Sequence, residues 1–306
     1  IGYTKFMKVS KKIINLETES AFAILAKATK LSLEGKNIIN LGIGQPDFPT
    51  PTNIQEAAIK AIKDGHHGYT PSNGILPLRE AVSEQIYNDY NVNISSDQIL
   101  ITPGGKPTIF YSSLILGGEG NEIIYPDPGF PIYRSMIKFS GAKGVPLELS
   151  EEDDFEININ KLEKLITKNT SLIIINNPNN PTGSFMNKKK IDGIIKMLEK
   201  YPDIFIMSDE IYSKIIFNDQ EMSSFINYES IRDRLIVLEG WSKTFCMTGW
   251  RLGWSMWPKK LYEHANKLCV NDHSCPNIIS QYAGLEALKG PKDEIEKIKQ
   301  EFQNRK

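Results

Sequence analysis

Five short runs along the chain are mostly apolar, without polar alternation: QILIT (98–102), NEIIYP (121–126), SLIIINN (171–177), DIFIMSD (203–209) and RLIVLEG (234–240). Such continuous, β-branched runs predict strands buried on both faces. Between them, PTIFYSSLIL (107–116), PIYRSMIKFSG (131–141) and KKKIDGIIKMLEK (188–200) repeat apolar positions at helical spacing. Strands alternating with helices predict an α/β fold with a mostly parallel central sheet flanked by helices. Ligands bind such folds where the C-terminal ends of the strands open into loops.

At 306 residues the chain has room for two domains and a sizeable core. Its 36 Lys and Arg against 37 Asp and Glu leave a formal net charge of -1, which argues against nucleic acid or an anionic membrane as partner. No apolar run approaches the roughly 18 residues of a membrane span, and the start does not resemble a secretory signal. Cys246, Cys269 and Cys275 form no CxxC pair. A soluble cytoplasmic protein is expected. His264, Cys269, His273 and Cys275 match no zinc spacing, so no metal is expected. Met7 is a plausible initiator, and the helix-like EIEKIKQEFQNRK (294–306) runs to the last residue without a closing Gly or Pro. The natural polypeptide is therefore expected to be longer.

The stretch EGWSKTFCMTGWRLGW (239–254) sets Lys243 and Arg251 in a run rich in tryptophan, with no acid between them. Such cations are rarely buried without a partner. The loops after the strands suggest one. PGGKP (103–107) frees the backbone to present N–H groups at a helix start, an anion cradle suited to phosphate. Read alone, it is equally an ordinary strand-to-helix turn. It lacks the GxxxxGK[ST] pattern of a nucleotide loop, and LGIGQPDF (41–48) lacks a dinucleotide fingerprint's third glycine. In NNPNNPTG (176–183) two prolines stiffen a loop that places Asn180 to donate to a ligand oxygen; the plain alternative is asparagines serving their own backbone. In SDEIY (208–212), Asp209 either caps the next helix or meets a protonated ring nitrogen, with Tyr212 beside it.

Together the loops supply what the two cations require. Lys243 is read as the amine that forms an imine with an aldehyde cofactor, its pKa lowered from about 10.4 by burial and nearby cations. Arg251 is read as gripping a phosphate. Pyridoxal 5'-phosphate carries the aldehyde, phosphate, phenolic oxygen and ring nitrogen these loops would serve.

The ordered set of Tyr69 in GYTP, GGK, NNPNNPTG, SDEIY and SKTFCMTGWRLGW resembles the class I aminotransferases, fold type I of the pyridoxal-phosphate enzymes. LGIGQPDFPTP and LREAV resemble its aspartate-aminotransferase-like branch, and the likeness runs from about Met7 to the end. The resemblance implies pyridoxal 5'-phosphate, with Lys243 as the Schiff-base lysine and Arg251 on the phosphate. It puts Asp209 on the pyridine nitrogen, and Tyr212 and Asn180 on the phenolic oxygen. Gly104, Gly105 and Lys106 fall in the phosphate loop, Ser242 among the cofactor contacts, and Phe130 against the ring. Gly44 falls at the substrate carboxylate, with Phe130 and Asn180 also facing substrate. Tyr69 is implied to reach the neighbouring subunit's phosphate, hence a homodimer. The implied division is an arm and small-domain segment (1–47), a large cofactor-binding domain (48–290) and the start of a C-terminal small domain (291–306).

Two departures stand out. Gly240 occupies a position where many relatives carry serine, and the relatives' carboxylate-binding arginine, beyond residue 306, has no counterpart here. For a chain of this length that implies weakened or absent turnover, because substrate positioning would be lost. The implied reaction is ping-pong transfer of an amino group between an L-amino acid and a 2-oxo acid, Lys243 carrying the proton. A carbon–sulfur β-lyase would share the cofactor residues. The effector domain of a transcription regulator would need a DNA-binding segment before LGIGQPDF.

Overall fold

The strands are β1 (Ile99–Thr102), β2 (Glu122–Asp127), β3 (Lys143–Glu148), β4 (Thr170–Asn176), β5 (Phe205–Asp209), β6 (Leu235–Gly240) and β7 (Gly253–Met256). In this computed structural model, which describes residues 9–14, 16, 20–218 and 220–306, they form one sheet in the order β1-β7-β6-β5-β4-β2-β3. Met7 lies outside the described residues. Pairing is parallel from β3 to β6, while β7 runs antiparallel to both β6 and β1. The fold is thus the expected α/β architecture with a mostly parallel sheet, and five strands fall on the five apolar runs.

Alternate residues of those runs feed two cores, one on each face. Ile101, Ile173, Ile175, Ile206 and Val237 join one apolar cluster, while Leu100, Ile174, Met207, Ile236 and Leu238 join the other. Burial on both faces removes the polar alternation a half-exposed strand would show.

The helices that matter for the site are α1 (Ser20–Leu33), α2 (Thr52–Lys63), α3 (Leu76–Tyr90), α4 (Lys106–Leu116), α5 (Ile132–Ser140), α6 (Ile159–Leu165), α7 (Lys188–Leu198), α8 (Lys259–Asp272), α9 (Ile278–Lys289) and α10 (Asp293–Arg305). Several start on a side-chain cap: Asn187 accepts from the Lys190 amide before α7, and Asn277 from the Ser280 amide before α9. Four tryptophans stiffen the β6–β7 region. Trp241 and Trp257 are fully buried and Trp254 nearly so, while the half-buried Trp250 donates its Nε1 to Thr50 Oγ1 at 3.0 Å.

Candidate active site

β6 ends at Gly240, and the chain turns at once into a helical turn, Trp241–Thr244, at the C-terminal edge of the parallel strands. Trp241 anchors the turn by donating its Nε1 to the Gly284 carbonyl at 3.0 Å. Gly240 is extended, at φ 166, so its backbone suits any residue; space is what it lacks. Gly240 pairs with Gly253 across the β6–β7 seam, and a Cβ on it would stand 2.8 Å from the Gly253 Cα. The turn presents Lys243, half-buried, with its Nζ donating to the Gly44 carbonyl at 2.7 Å and lying 5.9 Å from the Tyr212 ring centroid.

One strand over, Asp209 closes β5 and is almost fully buried. The Tyr133 hydroxyl donates to its Oδ2 at 2.6 Å, and the Ile211 amide to its Oδ1 at 3.2 Å. Burial pushes its pKa up to about 6, against the pull of those two donors. These two donors are neutral, so a cation brought against Asp209 would draw its pKa back down. Tyr212, beside it, is pushed up to about 12 by burial and then by Asp209 itself. The Asn176–Gly183 loop is tied to the same strand end: the Asn176 side chain donates to the Asp209 carbonyl at 3.0 Å and accepts from the Asn180 amide at 2.7 Å. That fixes where Asn180 stands.

The third component is the turn from β1 into α4. Gly104 has φ +82, and a Cβ there would lie 2.2 Å from Arg251 Nη2, so only glycine lets the guanidinium lie against this backbone. Arg251 donates to the Thr248 carbonyl at 2.8 Å and the Pro103 carbonyl at 3.3 Å, leaving its exposed face to the cavity. Gly105 caps α4, so the first amides of an 11-residue helix point the same way.

These parts surround one cavity of about 850 Å³. It brings together Lys243, Ser242, Asp209, Tyr212 and Asn180, and also Gly105, Lys106, Phe130, Arg251 and Gly44. The Lys106 ammonium lies 5.2 Å from the Phe22 ring centroid and 5.6 Å from that of Phe130. Gly104 backs Arg251 without lining the cavity, and Tyr69 is apart from it, 92% exposed on the surface. Sequence reasoning missed Tyr133, which lies 76 residues before its partner Asp209 inside α5; its only local signal is the aromatic pair in PGFPIY. Among the described residues no helix is long and apolar enough to cross a membrane. Cys269, within the His–Cys group, is fully buried beside Tyr111, whose hydroxyl donates to Asp272 at 2.7 Å.

A family model described as "Aminotransferase class I and II" matches residues 36–306. The chain is 32% identical over 300 residues to an aspartate aminotransferase of Bacillus subtilis (strain 168), covering 98% of this chain and 76% of that protein. It is 34% identical over 299 residues to a probable aspartate/prephenate aminotransferase of Rickettsia felis, covering 97% and 73%. The crystal structure of the aspartate aminotransferase from Rhizobium meliloti superimposes with a TM-score of 0.92 at 28% identity, covering 98% of this chain and 75% of that one.

Proposed function

Because the chain belongs to the class I and II aminotransferases, we propose that its cavity holds pyridoxal 5'-phosphate on Lys243 and takes an acidic amino acid as donor. The observation that carries this reading is the convergence of Lys243, Asp209, Tyr212, Asn180 and Arg251 on one cavity. The donor set fits the group. Arg251 and the first amides of α4 form a cationic cradle that a side chain at Gly104 would fill, matched to a phosphate. Asp209, buried with neutral donors, is matched to a protonated ring nitrogen. Tyr212 and Asn180 are matched to a phenolic oxygen between them.

When bound, pyridoxal phosphate supplies an aldehyde for covalent linkage and an electron-accepting ring. The chain supplies placement and proton handling. Lys243 Nζ would provide the amine for that linkage and the base that moves the substrate's Cα proton. Asp209 would keep a ring nitrogen charged, and Tyr133 fixes the carboxylate for that duty. Phe130 covers the ring, and the Gly44 backbone meets the substrate carboxylate. Three cations line the cavity among the described residues. They are Lys106, Lys243 and Arg251; the acidic donor is proposed from the names of the relatives, which are aspartate and aspartate/prephenate aminotransferases. The three proteins compared above are aminotransferases by name, which leaves the β-lyase and effector readings without support. The same reading places residues 48–290 in a large cofactor-binding domain, and Tyr69 at the neighbouring subunit's site in a homodimer.

Covalent capture tests it. The purified protein is incubated with pyridoxal 5'-phosphate, reduced with borohydride and mapped by peptide mass. The adduct is expected on the Lys243 peptide, and Lys243→Ala is expected to lose both adduct and aspartate-dependent amino transfer to 2-oxoglutarate. An adduct spread over surface lysines, with none at 243, refutes the reading.

A further inference from the structure

Lys243 meets the 40–48 segment, whose Gly44 carbonyl accepts from its ammonium, and the Tyr212 ring, 5.9 Å away, from which a second loop runs to Asn218. Residues 302–306 grip both segments. Arg305 Nη1 lies 3.0 and 2.9 Å from the two Asp47 carboxylate oxygens, and its guanidinium carbon 4.8 Å from the Phe48 ring centroid. Phe302 meets the same Phe48 ring edge to face at 5.3 Å. Gln303 accepts from the Asn218 amide at 3.0 Å and donates back to the Asn218 side chain at 3.2 Å, a reciprocal pair. Lys306 Nζ stands 5.4 Å from the Phe217 ring centroid.

An exposed ion pair alone contributes little. This one stacks on an aromatic ring that a second ring already holds, which restricts both side chains before they pair. Asp47 is three residues from Gly44, and Pro46 between them has a fixed φ. A grip on Asp47 therefore sets where the Gly44 carbonyl stands, and with it the Lys243 ammonium. We infer that residues 302–305 of α10 are a clasp on both loops, with Asp47, Phe302 and Arg305 acting as positioning residues for Lys243. The inference rests on Lys243 being the reactive amine.

The test uses Asp47→Asn, Arg305→Gln, Phe302→Ala and the charge-keeping Arg305→Lys. Amide hydrogen exchange of residues 43–48 is measured on protein stripped of cofactor. Trinitrobenzenesulfonate labelling of Lys243 is followed by peptide mapping. Each of the first three variants is expected to speed exchange of 43–48 about threefold to tenfold, leaving β4 to β6 unchanged. Lys243 labels faster as its carbonyl acceptor loosens. Arg305→Lys, which keeps a cation over Phe48 and beside Asp47 and Glu301, is expected to retain much of the protection that Arg305→Gln loses. Unchanged exchange in the first three variants, or an Arg305→Lys no better than Arg305→Gln, overturns the clasp. The exchange readout does not depend on pyridoxal phosphate, so failure of covalent capture at Lys243 would refute the site assignment separately.

Discussion

Replacing Glu239 by glutamine should make the protein more stable at alkaline pH. Glu239 ends the β6 run on the face opposite the cavity and is only 6% exposed. Glu210 faces it from the end of β5, Asp89 and Tyr90 from α3, and Lys214 from the loop after β5. Burial raises the Glu239 pKa from 4.5 to about 8; Lys214 pulls it back, and Glu210 and Asp89 push it further up. A carboxyl whose folded pKa lies above its unfolded value contributes stability that is fully present below the unfolded pKa. That contribution is lost as pH rises through the folded pKa. Between pH 6 and 8 the unfolded chain is already ionised while the native carboxyl holds its proton, so stability falls by about 1.4 kcal/mol per pH unit. Over that window Glu239 alone accounts for a loss of roughly 2–3 kcal/mol. Glutamine keeps the neutral shape and does not titrate. Urea unfolding at pH 6, 7 and 8 is expected to show a falling midpoint for the wild type and a shallower fall for Glu239→Gln. Parallel slopes for the two proteins would refute the reasoning, because the residual fall from Glu210, itself raised to about 7, is common to both.

Two further outcomes follow from the site. Asp209→Asn should fold at least as stably as wild type at pH 8, since a buried acid is removed, while the ring nitrogen of the proposed cofactor would lose its carboxylate partner. Turnover with saturating cofactor is expected to fall at least about a hundredfold, measured by coupled assay beside thermal unfolding. Gly104→Ala combines a left-handed φ with a Cβ 2.2 Å from Arg251; it should cost about 1–3 kcal/mol and weaken cofactor binding by displacing the guanidinium, read by calorimetric unfolding and equilibrium titration.

The strands that can be read from sequence are those buried on both faces, where continuous isoleucine leaves no other reading. β3 escapes such a reading because most of its positions are not fully buried and Pro146 interrupts it, as suits the edge of a sheet. β7 escapes because it is four residues long, lies within a tryptophan-rich run, and owes its existence to β1, more than 150 positions away. The same division holds at the site. Asp209, Asn180 and Lys243 are legible because each follows directly from a buried strand. Tyr133 is not, since only the packing of α5 over β5 brings it to Asp209. Nor does local pattern reveal that Arg305 reaches Asp47, a pairing 258 residues apart.

Among the described residues, β7 is the one reversed strand, and β1 touches the rest of the sheet through it alone. Reversal puts the start of β7, just after Arg251, beside the exit of β1 at Gly104. Both halves of the proposed phosphate grip therefore hang on a single seam. If that seam opens, Gly104, Gly105 and Arg251 part together, while the parallel ladder from β3 to β6 keeps Asp209 and the root of the Lys243 turn in register. Heating should then loosen the phosphate site proposed here before the lysine's surroundings melt, so the enzyme would fail first as a weak holder of the proposed cofactor and only later as a fold.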